Sequence, residues 1–322
     1  MAILRYICAL FPALILTGCY EDFTPDVDTT PVLCLNSLIT AGEPIKVNVS
    51  HTWLYTDDGD SDHSVNDAVI SIYANGMRQN TDYIPQAGDR IRIVAESNVY
   101  GSAEAEVTVP RPVPVCKLEW QTNLNDIWKS SIEFEMLAHF GFNLNVELTI
   151  DDPVADENYY RLSYNAFSKD IESVVSFSSG SFDYDSEPIF AEHIGVFESI
   201  MGGDSYGFTF FTDRQFSGRS YTLHLHYKGC SYFVNSQEWL PELLECGLVF
   251  TLHSVSRSYY SWANYLWQND NGPLGDISDA GLGDPLRGYS NVSTGAGVVA
   301  AQSVSTYTLD LKDFIEQVLV TN

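Results

Sequence analysis

The side chain with the most definite chemistry lies near the N-terminus, where Leu16-Thr17-Gly18 precede Cys19. Small residues followed by cysteine resemble a lipobox, in which the thiol takes a diacylglyceryl group and becomes the first residue of the mature chain. Ahead of it stand one basic residue, Arg5, and an apolar run from Ile7 to Leu16 that is too short to span a bilayer. Residues 1–18 therefore read as a lipoprotein signal peptide, with Cys19 as the expected lipidation site. Each acyl methylene buried in lipid contributes about 0.8 kcal/mol, so several chains make a stable anchor.

Four further cysteines follow the leader: Cys34, Cys116, Cys230 and Cys246. In an exported chain an even number allows two disulfides with three possible pairings. The favoured pairing is Cys34–Cys116, closing the N-terminal unit from start to end, with Cys230–Cys246 closing a short excursion between strands. No pair has CxxC spacing, which argues against a zinc site or a redox motif.

Asp57-Asp58-Gly59-Asp60-Ser61-Asp62 alternates carboxylates as a calcium loop does. It departs from the EF-hand pattern, because the sixth position from Asp58 is His63 and the twelfth is Val69. A solvated loop is expected, with weak calcium binding as the alternative and no other cofactor. His224-Leu225-His226 sets two imidazoles on one strand face, but no third ligand is identifiable and no metal site is assigned. Gly-x-Ser-x-Gly, His-Glu-x-x-His, P-loop and Gly-x-Gly-x-x-Gly motifs are all missing from the sequence. No catalytic residue is assigned and the chain is not expected to be an enzyme, a hydrolase of unrecognised type being the alternative.

The elements that must position these residues are strands. Val, Ile and Thr alternate with polar residues in short runs, and 19 Tyr, 17 Phe and 6 Trp supply bulk for sheet packing. From Val32 to Pro110 such runs include Ile45–Val49, Val69–Tyr73, Arg90–Val94 and Ala103–Val109, separated by turn signals at Asn75-Gly76 and Gly88-Asp89. Longer alternations follow at Leu144–Ile150, Tyr159–Leu162, Phe208–Phe210, Tyr221–Leu225 and Leu248–Leu252. Three short helices are expected, over Ser236–Leu244, Ser258–Gln268 and Leu311–Leu319. The fold class is mainly β: an N-terminal immunoglobulin-like or transthyretin-like sandwich over 32–114, then a larger β-rich domain over 115–322. Residues 19–31 read as a flexible tether, and Pro110-Arg111-Pro112-Val113-Pro114 as the boundary.

With 43 acidic and 16 basic side chains the formal net charge is −27, and no Lys/Arg cluster relieves it. Nucleic acid is excluded as a partner, since phosphates must be neutralised to be bound.

Several motifs occur in a familiar order: Asp151-Asp152-Pro153, Asn158-Tyr159-Tyr160-Arg161-Leu162, Thr212-Asp213-Arg214-Gln215-Phe216-Ser217-Gly218-Arg219, Ser256-Arg257-Ser258-Tyr259-Tyr260, and Tyr289-Ser290-Asn291-Val292 with Gly295-Ala296-Gly297-Val298. Together with Asn36-Ser37-Leu38 and Lys46-Val47-Asn48-Val49 they resemble the Bacteroidetes outer-membrane lipoprotein family called domain of unknown function 4249. The acidic Tyr20-Glu21-Asp22 after Cys19 is similar to the surface-export signal of such lipoproteins. The resemblance implies an outer-membrane, cell-surface location and an accessory or ligand-capture role beside a TonB-dependent transporter. Its ligand would be a small molecule, glycan or peptide, with a candidate pocket at Tyr259, Tyr260 and Asn291. A structural or adhesive surface protein is the alternative. The Cys-flanked stretch between Tyr227 and Gly247 departs from the family pattern and reads as an individual insertion. Asp213 and Asn291 are expected to hydrogen-bond their own turns, and Gly218, Gly295 and Gly297 to supply turns or close approaches.

Overall fold

The computed structural model describes residues 30–53, 62–123, 126–132, 137–154, 157–168, 175–183, 187–191, 207–235, 245–272 and 288–320. The leader, Cys19, residues 57–61 of the acidic loop and the helix expected over Ser236–Leu244 lie outside the described residues.

The first half forms β1 (Leu33–Thr40), β2 (Asn48–His51), β3 (Val69–Ala74), β4 (Met77–Gln79), β5 (Arg90–Ser97) and β6 (Gly101–Thr108). Next come β7 (Val115–Gln121), β8 (Trp128–Ile132), β9 (Leu137–Asp151), β10 (Tyr159–Ser168), β11 (Val175–Ser178), β12 (Ser181–Asp183) and β13 (Phe210–Thr212). The chain ends with β14 (Ser220–Asn235), β15 (Cys246–Val255), helix α1 (Arg257–Asn271), β16 (Val299–Asp310) and helix α2 (Lys312–Val320). Both described helices match expected ones, and neither is long and apolar enough to cross a membrane.

Alternation decides which face each strand buries. On β5, Ile91, Ile93 and Ala95 are fully buried, while Arg92 turns outward to lie over the Tyr73 ring at 4.5 Å and beside Glu104 at 3.4 Å. The sheet β4-β3-β5-β6 packs these residues against Leu33, Leu35 and Ile39 of β1, making the core of an N-terminal sandwich. A second, larger core lies between β11-β14-β9-β7 and the inner face of β13, β10, β15 and the C-terminal end of β16 in the six-stranded sheet β13-β10-β15-β16-β1-β2. Helix α2 closes it with Phe314, Ile315 and Val318. Aromatic rings fill much of this core, among them Phe140, Phe142, Tyr160, Tyr227, Tyr232 and Phe250. Edge-to-face pairs such as Tyr164–Tyr227, at 4.9 Å and 82°, are the arrangement that ring quadrupoles favour.

One topological feature joins the two halves. Strand β16, near the C-terminus, pairs antiparallel with β15 along Gly247–Val255 and parallel with β1 at Ser37–Thr40. Its first residues, Val299 and Ala301, belong to the N-terminal core, and Leu309 belongs to the larger one. The approach to β1 is tight. Gly295 and Gly297 pass so close to the Leu33 and Leu35 carbonyls that a side chain at either would collide with them, and Gly297 has φ +112. Glycine at these two positions lets Ala296 exchange backbone hydrogen bonds with Leu33 and Leu35.

The four cysteines correct the disulfide expectation, because all of them are free thiols. Cys34 lies on β1 among the first-core strands, whereas Cys116 is exposed on β7 and donates to the Thr149 carbonyl at 3.2 Å. Cys230 donates to the Ser179 carbonyl at 3.1 Å. Cys246 is likewise buried, and burial pushes both of these thiols up to about 12.

Candidate functional site

Where the sandwich meets the larger domain, a groove of about 990 Å³ opens, lined from both sides. The sandwich contributes Gly88 and the run Glu106–Arg111; the larger domain contributes Pro153, Val154, Glu157–Tyr160, Ser254–Ser258, Tyr289 and Asn291. Its volume is at the upper end for a ligand pocket. Cationic Arg111 and Arg257 and anionic Glu106 and Glu157 are set among hydroxyls and amides.

The sandwich wall is a sheet edge. Strand β6 pairs with β5 on one side only. At Glu104 its outer side is occupied: Ser293 N donates to the Glu104 carbonyl at 2.8 Å, and Glu104 N to the Ser293 carbonyl at 3.2 Å. Alternate residues of an antiparallel strand point their N–H and C=O to opposite sides. Val109 N bonds the Asp89 carbonyl on the β5 side, so Glu106 and Thr108 aim theirs outward, as Glu104 does. Both line the groove.

The opposite wall is held by a buried polar network. The Asp152 carboxylate, 6% exposed, accepts from Tyr160 Oη, from Gly218 N at 2.7 Å and from Asn158 Nδ2 at 3.3 Å. Asn158 Nδ2 also donates to Asp213 Oδ2 at 3.2 Å, and Asp213 is 1% exposed. Backbone bonds lace the same segments, Asp213 N to the Asn158 carbonyl and Asp152 N to the Arg219 carbonyl. Burial, with Asp213 close by, raises the Asp152 pKa above its ordinary value, while the Tyr160 and Gly218 donors oppose that rise. Gly218 has φ +68, the left-handed region in which glycine is unstrained. At the groove rim Tyr159 Oη donates to Glu157 at 2.6 Å, and Arg214 Nε pairs with Glu157 at 2.9 Å. These two contacts, Tyr159 first, hold the Glu157 carboxyl below its usual range. Burial and Glu157 push Tyr159 up to about 12.

Residues from three separate motifs, at 152, 158–160 and 213–218, thus meet in one network. The model of the family described as Domain of unknown function (DUF4249) matches residues 20–308. The chain belongs to this family. No curated protein and no solved structure matches it significantly.

In this DUF4249 member the motif residues have assignable tasks. Asn291 clamps Val299, accepting from its N–H at 2.9 Å and donating to its carbonyl at 2.8 Å, which closes the loop that delivers β16 to β1. Ser256 caps α1, its Oγ accepting from Tyr259 N at 3.3 Å and from Ala301 N at 3.0 Å.

The three residues of the expected pocket, Tyr259, Tyr260 and Asn291, are not brought together in the groove. Only Asn291 lines the groove. Tyr259 is buried against Tyr159, Val255 and Ala300, and its hydroxyl accepts from Arg161 Nη1 at 3.3 Å; Tyr260 packs beside the Tyr159 ring at 5.1 Å. Tyr259 faces the sheet because α1 lies across β10 and β16, whereas Trp262 and Leu266 of the same helix are exposed. His224 and His226 are exposed on β14, with His224 Nδ1 3.7 Å from Glu147. Among the described residues no three His, Cys, Asp or Glu side chains converge as a metal site would require. The β6 edge was missed by sequence reasoning, since which strand ends a sheet is not written in its alternation.

Proposed function

We propose that this chain is an exported, lipid-anchored capture protein that holds an extended peptide in the groove and serves an outer-membrane, TonB-dependent uptake system as its accessory subunit. The observation that carries the capture role is the unpaired β6 edge at Glu106 and Thr108 on the wall of the groove. An extended peptide there would add a strand, gaining main-chain hydrogen bonds from β6 and side-chain contacts from the opposite wall. Arg111 and Arg257, set against Glu106 and Glu157, suit a ligand with both charges, as peptides have. The lipobox-like ending at Cys19 supports the anchor, and the family resemblance supports the transporter.

The test offers tryptic peptides of casein to the immobilised mature chain and identifies what is retained by mass spectrometry. Thr108→Pro removes an outward N–H, which an edge strand tolerates. The wild type should retain a defined subset of peptides that the variant holds at least fivefold more weakly, the worth of about one hydrogen bond. No retention by the wild type, or an identical set on the variant, overturns the capture reading.

A further inference from the structure

On the outer face of the six-stranded sheet, four adjacent strands carry a hydrogen-bonded row. Ser163 Oγ on β10 lies 2.9 Å from His253 Nε2 on β15. His253 Nδ1 lies 3.0 Å from Gln302 Oε1 on β16, and Gln302 Nε2 donates to Thr40 Oγ1 on β1 at 3.2 Å. Leu162 and Leu252, the neighbours of Ser163 and His253 in sequence, point the other way into the core. The row therefore stands on the solvent side, and Ser163, His253 and Gln302 are each half-buried.

This order of groups matches the roles of a nucleophile, a base and an orienting acceptor. Gln302 donates its amide N–H₂ to Thr40, so its carbonyl oxygen faces His253 and accepts from Nδ1–H. That bond fixes the tautomer, leaving the Nε2 lone pair to receive the Ser163 proton. Desolvation holds the imidazole below its ordinary pKa, assisted by the charge of Arg161, so the ring is neutral at pH 7 and its Nε2 lone pair is free to accept a proton. Arg161 is the cross-strand neighbour of His253 and precedes Ser163 by two residues on the same face. Its guanidinium is held by Tyr259 Oη at 3.3 Å and lies over the Phe210 ring at 5.4 Å. A cation so placed can stabilise an oxyanion formed beside Ser163. Val304, opposite His253 on β16 and 41% exposed, offers an apolar seat for a small acyl group.

The geometry points to a serine acyl-hydrolase site, none of whose three residues lines the groove, in which Ser163 attacks small activated acyl esters. Ser163 Oγ bonds to the acyl carbon as its proton passes to His253 Nε2. The ester C–O bond then breaks and the alcohol leaves with that proton. Water repeats the sequence: its oxygen bonds to the acyl carbon, its proton goes to Nε2, and Ser163 leaves reprotonated as the free acid departs. Gln302 is a positioning residue, acting through the imidazole.

The decisive experiment treats the mature chain with a fluorophosphonate probe, maps the adduct by tryptic mass spectrometry, and follows p-nitrophenyl acetate hydrolysis in parallel. The expected adduct is on Ser163, forming faster as pH rises through the imidazole ionisation. His253→Gln should slow it about 100-fold or more, the usual worth of a general base. Gln302→Leu should move the pH midpoint downward, because the Gln302 hydrogen bond raises the His253 pKa. Ser163→Ala should abolish ester turnover. No Ser163 adduct on the wild type, which needs no variant to fold, overturns the inference. So does an adduct whose rate is indifferent to His253→Gln.

Discussion

Replacing Tyr160 by Phe removes one oxygen from the network behind the groove and almost no apolar volume. Tyr160 is fully buried, with Phe211 at 5.4 Å and Phe216 at 6.4 Å from its ring, so the phenyl group of the variant keeps its packing. What is lost is one of three donors to a carboxylate that is itself 6% exposed. A hydrogen bond to a charged group is worth about 1.5–3 kcal/mol, so the variant should lose about 2 kcal/mol at pH 8. The loss should depend on pH. Burial raises the folded-state pKa of Asp152 above its ordinary value of 3.8, so the folded chain binds this proton more tightly than the unfolded one. Stability contributed by Asp152 is thus fully present below the unfolded pKa and is lost as pH rises through the folded one. Tyr160 lowers that folded value by donating to the charged form, so its removal moves the value further up and widens the window of loss. The penalty should therefore shrink from about 2 kcal/mol at pH 8 to about 1 kcal/mol or less towards pH 4, where a neutral carboxyl needs the donor less. Urea unfolding of both proteins at pH 8, 6 and 4, followed by tryptophan fluorescence, measures it directly. A penalty that stays flat with pH, or below about 0.5 kcal/mol at pH 8, would refute the assignment of Tyr160 as a support of the ionised carboxylate.

Three further outcomes are expected. In native protein a maleimide should modify exposed Cys116 first and leave Cys230 and Cys246 untouched, all four reacting once the chain is unfolded in guanidinium; intact mass spectrometry counts the adducts, and thiols that stay silent after unfolding would restore the disulfides. Gly247→Ala should destabilise the protein by about 3 kcal/mol or more, since its methyl group would collide with the Leu309 carbonyl across the β15–β16 ladder, and thermal unfolding reads the result. Cys19→Ala should shift the protein from the membrane fraction to the soluble one, and persistence in the membrane would exclude the thiol as the anchor.

Alternation made most strands of both halves legible, because one face of each is buried and the other wet: Ile91, Ile93 and Ala95 on β5, or Leu248, Phe250 and Leu252 on β15. Strand β16 escaped because that rule fails for it. Val299, Ala300 and Ala301 are all buried, one neighbour facing the N-terminal core and the next facing α1. A strand covered on both sides loses its period of two. The disulfide expectation failed for a related reason. Even parity and compartment say that cysteines can pair, whereas pairing needs facing Cβ atoms, and β1 and β7 stand in different sheets.

Both candidate sites depend on the strand the sequence did not reveal. Tyr289, just before the loop that Asn291 closes onto Val299, lines the groove, and the loop carries Ser293 to the β6 edge, where it stops pairing short of Glu106. Downstream, Gln302 of the same strand reaches His253 on one side and Thr40 on the other. Ser163 and His253 are 90 residues apart and Gln302 lies 49 beyond, so no local motif could have joined them. Their meeting follows from register alone: Arg161 opposite His253 on β10–β15, and His253 opposite Val304 on β15–β16. A one-residue slip of β16 would turn Gln302 into the core and send Val299 and Ala301 to the opposite face, so the first core that β16 completes also fixes the position of the outer row.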